Sequence, residues 1–201
     1  MTRRNAGTSA GHEGDQPTVK ILIVDDDEAM RLTLSDLMAS LGLSVQTAKS
    51  GTEALIVLNQ QPAELDIVLT DLMMPGYTGL DILKAVRARS EHILVVIMTG
   101  YASIESAVEA IRAGAYDYIA KPFTLGEAEI LIRNAMERIR LQKENARLTG
   151  ELQDLSQKVS QLQDGGHETR RLQREIKDEV HALGAKLDNL YERLQVPAGR
   201  R

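Results

Sequence analysis

The chain has 201 residues, of which 43% are hydrophobic and 26% charged, enough for one ordinary domain of roughly 100–200 residues plus an appendage. Cysteine is absent, which excludes a disulfide scaffold, thiol catalysis and any thiolate metal site. Residues 1–137 carry 11 Lys/Arg against 19 Asp/Glu and residues 138–201 carry 13 against 10, so the first part is acidic and disfavours non-specific nucleic-acid binding.

Residues 1–17 are polar and charged and read as a flexible tail that could not offset its ordering entropy. They lack the apolar stretch of a signal peptide, and no apolar run approaches the roughly 20 residues of a membrane span. A soluble cytoplasmic protein with no membrane partner is therefore expected. Val19–Val24 is a short apolar run and predicts a buried strand. Met30, Leu34, Leu37, Met38 and Leu41 form a helical stripe over Glu28–Leu41, and Gly42 follows as a stop. Leu43–Ala48 is strand-like, and Ser50 with Glu53 is a capping box opening a helix to about Gln60. Asp66–Thr70 reads as a strand and Leu80–Arg87 as a short helix. His92–Thr99 contains an unbroken apolar run from Ile93 to Met98, the mark of a strand buried on both faces. Ser103 caps a helix to Ala113 that Gly114 ends, Tyr116–Ala120 is a last strand, and a helix begins near Thr124 without an obvious stop. Five strands alternating with helices predict an α/β fold, a parallel sheet flanked by helices.

Ligand sites in such sheets lie at the C-terminal ends of the strands. Those ends hold Asp25, Asp26 and Asp27, then Asp71, Thr99 and Lys121. Adjacent carboxylates raise one another's pKa unless a cation sits among them. With no His or Cys nearby, oxygen-only ligands favour a hard cation, Mg²⁺ above all. A carboxylate beside Mg²⁺ and a lysine can act as a nucleophile toward a phosphoryl group, giving an aspartyl phosphate. One of the three consecutive aspartates is also expected to cap the following helix, and each other residue has a plainer reading as a turn or surface group.

These residues stand in recognisable segments. Ile21 to Asp27, Leu69 to Leu80, Val96 to Tyr101 and Ala113 to Phe123 together resemble bacterial response-regulator receiver domains, over about residues 18–137. The subgroup is similar to the receivers of nitrogen-regulatory enhancer-binding activators. The resemblance implies a flavodoxin-like strand order 2-1-3-4-5, with Asp71 as phosphoacceptor. It implies Mg²⁺ held by Asp25, Asp26, Asp71 and the backbone carbonyl of Met73. Thr99 is then the switch hydroxyl, Tyr118 the switch aromatic and Lys121 the phosphoryl contact. A sensor histidine kinase is the implied donor, and no catalytic domain beyond the receiver is implied.

Residues 138–198 carry a heptad. Steps of four and three from Leu141 reach Asn145, Leu148, Leu152, Leu155, Val159 and Leu162, and the same frame later meets Ile176, Val180, Leu183, Leu187, Leu190 and Leu194. This predicts a left-handed coiled coil. Between the two runs the seam is polar, through Gly166, Thr169 and Gln173. Either a long parallel homodimer through residues 141–194 or a helical hairpin turning at Gly165–Gly166 satisfies the pattern, and the preserved phase favours the dimer. No helix-turn-helix and no Walker-type loop are visible, so direct DNA binding and an attached ATPase are not expected. Three functions remain: a regulator signalling to an unknown downstream protein through its coiled coil, a DNA-binding activator lacking its output domain, and a phosphotransferase acting on metabolites.

Overall fold

The computed structural model describes residues 18–60, 65–100, 104–162 and 169–195. They fall into two compact units that divide between Lys121 and Pro122.

The first unit alternates β1 (Lys20–Val24), α1 (Glu28–Ser40), β2 (Ser44–Ala48), α2 (Gly51–Gln60), β3 (Ile67–Asp71), α3 (Gly79–Arg87), β4 (Leu94–Thr99), α4 (Ile104–Arg112) and β5 (Asp117–Ala120). All four strand pairings are parallel and the order is β2-β1-β3-β4-β5, the flavodoxin-like arrangement expected from the sequence. Side chains alternate across the sheet. Leu22, Val24, Val68, Val95 and Ile97 join Ala54 and Leu58 of α2, Ile82, Leu83 and Val86 of α3, and Ala110 of α4 in one core. Ile21, Ile23, Ile67 and Leu69 point the other way and are also buried, on the face where α1 buries Leu34 and Met38. Every residue of β3 and β4 is buried, as the unbroken apolar run from Ile93 to Met98 predicts for β4.

The helix starts follow local chemistry. Asp27 is the aspartate that caps α1, its side chain accepting from Ala29 N and Met30 N. Ser50 Oγ accepts from Glu53 N at 3.3 Å, but the Glu53 carboxylate reaches back to Lys49 N rather than to Ser50 N. A full capping box at Thr78 and Asp81 opens α3, with the T-x-x-D spacing visible in the sequence. The expected Ser103 cap lies outside the described residues.

The second unit holds α5 (Leu125–Leu162), started by a Thr124–Glu127 box, and α6 (Thr169–Gln195). The two helices pack against each other, and Arg193 near the end of α6 bonds Glu137 near the start of α5 at 3.0 Å. They therefore run antiparallel. Leu141 and Leu148 of α5 are buried in one cluster with Leu183 and Leu190 of α6, with Leu152, Leu155 and Leu187 packed beside them.

Within one chain the heptad leucines of α5 and α6 face each other as a helical hairpin, the second of the two arrangements that the pattern allows. The physical reason is in the seam. Polar layers offer a two-chain rod little, and two glycines cost about 1 kcal/mol each inside a helix. Folding back buries the same leucines without the entropy cost of association. One seam residue is poorly served, since the buried Asn145 Nδ2 has no hydrogen-bond partner.

Candidate functional site

The parallel register brings the strand ends level. Thr70 of β3 stands opposite Val24 of β1, Asp71 opposite Met98 of β4, and Thr99 opposite Ala120 of β5. Asp25, Asp71, Thr99 and Lys121 therefore share one edge of the sheet. Lys121 N donates to the Thr99 carbonyl at 2.7 Å, which extends the β4–β5 pairing up to the lysine.

The Lys121 ammonium bridges two carboxylates, with Nζ 2.8 Å from Asp25 Oδ2 and 2.6 Å from Asp71 Oδ2. Asp25 is fully buried and Asp71 is 8% exposed. Burial acts to lower the Lys121 pKa, but the bonds to Asp25 and Asp71 outweigh it and hold the group above its ordinary value. Each carboxylate spends its other oxygen on the backbone. Asp27 N donates to Asp25 Oδ1 at 2.9 Å, and Met73 N donates to Asp71 Oδ1 at 3.0 Å. Asp26 is exposed at the mouth of the cluster. Asp25, Asp26 and Asp71 each offer an oxygen, and these oxygens lie within 4.8 Å of one another. A tight all-carboxylate set without nitrogen or sulfur fits a hard divalent cation such as Mg²⁺.

Thr99 ends β4 and is 2% exposed. Met73 lies in the loop after β3, with its side chain exposed and its N–H committed to Asp71. Tyr118 sits on β5 opposite Ile97 and is 38% exposed, so it stands outside the carboxylate cluster.

Two glycines that sequence reasoning passed over hold the loop after Asp71. A Cβ on Gly79 would lie 2.4 Å from the Asp71 carbonyl oxygen, and one on Gly51 would lie 2.6 Å from Tyr77 Cβ. The first turns of α3 and α2 thus close on this loop at distances only glycine permits. Nothing in the local pattern of the sequence reports such contacts, because they depend on how the loop after β3 folds back against α2 and α3.

The family model of the response regulator receiver domain matches residues 21–133. The chain is 34% identical over 146 residues to the DNA-binding transcriptional regulator NtrC of Escherichia coli K12, covering 72% of this chain and 31% of that one. It is 39% identical over 126 residues to the regulatory protein AtoC of the same organism, covering 62% of this chain and 27% of that one. Among solved structures, a response regulator receiver domain from Clostridium thermocellum superposes with a TM-score of 0.58 at 35% identity, over 62% of this chain and 98% of that one. The chemotaxis protein CheY4 of Vibrio cholerae gives 0.54 at 30% identity, over 59% and 98%. The chain belongs to the response regulator receiver family of two-component systems and is related to the NtrC-type regulators. It spans less than a third of the length of those curated relatives. Members of the family are phosphorylated by sensor histidine kinases and bind Mg²⁺ at an acidic pocket. No described helix is long and apolar enough to cross a membrane.

Proposed function

We propose that this chain accepts a phosphoryl group on Asp71 from a sensor histidine kinase. We propose further that it signals through α5 and α6 by changed dimerisation or partner binding, from the cytoplasm. The observation that carries the first part is the Lys121 ammonium held between Asp25 and Asp71, with Asp26 completing a three-carboxylate cluster.

Asp25, Asp26 and Asp71 would hold Mg²⁺ together with the Met73 carbonyl, and the bound ion supplies charge neutralisation at the phosphoryl oxygens. An Asp71 oxygen bonds to phosphorus as the P–N bond to the kinase histidine breaks, and the imidazole keeps the electron pair. Lys121 then exchanges its bond to Asp71 for one to a phosphoryl oxygen. The Thr99 hydroxyl turns toward another, which vacates space for Tyr118 to move inward. A dianionic group at one edge of the sheet thereby biases the β4–β5 side of the receiver.

Incubation with acetyl phosphate and Mg²⁺ should add one phosphoryl group by mass spectrometry, and D71N should add none. Equal labelling of D71N would overturn the assignment. A second reading, the receiver and linker of a DNA-binding activator, is favoured by the similarity to a DNA-binding transcriptional regulator more than twice as long. Tight, sequence-dependent binding of duplex DNA at physiological salt would favour it over the first.

A further inference from the structure

The bend between β1 and α1 carries two of the three clustered carboxylates, so its backbone decides where they point. A residue's orientation follows from the two peptide planes that flank it, since each plane is rigid and only φ and ψ between them are soft. For Asp26 these are the Asp25–Asp26 and Asp26–Asp27 peptides. The second is held by its N–H, which Asp27 donates to Asp25 Oδ1 at 2.9 Å. The first is held by its carbonyl, to which Arg31 Nη1 donates at 2.8 Å. Arg31 lies in the first turn of α1, and its own N–H donates to the Asp27 carbonyl at 3.0 Å. One arginine therefore grips the bend on both sides of Asp26, with its side chain before and its main chain after.

We infer that Arg31 is a positioning residue for the acidic cluster: its guanidinium fixes the Asp25–Asp26 peptide so that the exposed Asp26 carboxylate is aimed at the site shared with Asp25 and Asp71. The inference rests on the divalent-cation reading of that cluster. Arg31 carries a permanent positive charge, which by itself opposes a metal ion nearby. Its bond to the Asp25 carbonyl favours the metal by holding a ligand in place. The two effects have opposite signs, so removing the side chain separates them.

Isothermal titration of the full chain with Mg²⁺ at fixed ionic strength compares wild type, R31M and R31K, with circular dichroism checking the metal-free fold. R31M should weaken Mg²⁺ binding about tenfold, the scale seen when a partner behind a metal ligand is lost. R31K, which keeps a donor on a long stem, should recover much of it. An R31M protein that binds Mg²⁺ as tightly as wild type or more tightly, or an R31K no better than R31M, overturns the inference. R31Q is too short to reach the carbonyl, carries the same opposed signs, and replaces R31M should that variant not fold. Failure of the wild type to bind Mg²⁺ at all would instead remove the cation reading itself.

Discussion

Gly79, the first residue of α3, stands against the main chain of Asp71 so closely that a Cβ there would come within 2.4 Å of the Asp71 carbonyl oxygen and 3.0 Å of Leu72 Cα. The contact is backbone on backbone, so no side-chain rotation can relieve it. Gly79 N also donates to the Leu72 carbonyl at 3.0 Å, which ties the helix start to the strand end. G79A should destabilise the protein by about 1–3 kcal/mol through forced backbone movement. It should also slow labelling by acetyl phosphate more than the lost stability accounts for, because small displacements of a reacting group are costly. Urea denaturation and the labelling rate measured on the same sample check this. Wild-type labelling by a destabilised G79A would refute the link to Asp71.

Lys121 sets the pH behaviour of the site. Its pKa is raised in the folded protein relative to the ordinary 10.5, since the two carboxylate bonds outweigh the effect of burial. A raised folded value means the stabilisation is complete below 10.5 and disappears as pH climbs through the higher folded pKa. Metal-free protein should therefore lose stability at the alkaline end of the range, and K121M should lack that loss. At neutral pH, K121M leaves two carboxylates without their cation and should cost about 3 kcal/mol, the low end for a buried pair because the lysine is 20% exposed. Mg²⁺ should restore more stability to K121M than to wild type, as read from urea midpoints with and without the ion.

At the opposite edge of the sheet, Arg87 joins three loop carbonyls. Its Nε donates to Gly114 O at 2.9 Å, and Nη1 donates to Ser90 O at 3.1 Å and Ile93 O at 2.8 Å. Gly114 has φ of +94°, and a Cβ on it would meet Arg87 Nε at 3.0 Å. R87M should cost about 3 kcal/mol by leaving these carbonyls without their donor. G114A should cost about 1–2 kcal/mol from its left-handed backbone alone, plus the clash with Arg87. In the double variant the clash is gone, so the two costs should sum to more than the measured loss. Strict additivity in chemical denaturation would show that Gly114 answers only to its backbone.

The hairpin of α5 and α6 makes a geometric prediction. Glu137 and Arg193 touch at 3.0 Å although 56 residues separate them. In an unbroken helix they would be about 84 Å apart. The absence of native cysteine lets spin labels be placed cleanly on E137C and R193C. A short, concentration-independent label distance is expected. N145L should stabilise the tail by about 1–2 kcal/mol, since it removes the unpartnered amide and adds apolar contact to the seam. A neutral or destabilising N145L would mean the amide finds a partner in solution.

Much of the candidate site is legible in the amino-acid sequence itself. The runs at Ile21 to Val24 and Ile93 to Met98 mark buried strands, and in a parallel sheet every strand delivers its C-terminal residue to the same edge. Position after a strand therefore sufficed to gather Asp25, Asp71, Thr99 and Lys121. The resemblance to receiver domains rests on those same segments, and the family match bears it out.

Other features were decided only by tertiary structure. The grip of Arg31 on Asp25, the closeness of Gly79 to Asp71 and the three bonds of Arg87 depend on where a side chain or a missing Cβ lands in three dimensions, which periodicity does not encode. The tail shows the division most plainly. Its heptad specifies that leucines must be covered, but the same stripe can be covered by a second chain or by its own second half. In the structure α5 and α6 cover each other within one chain, as suits a seam interrupted by polar layers, which gains from folding back on itself without the entropy cost of association.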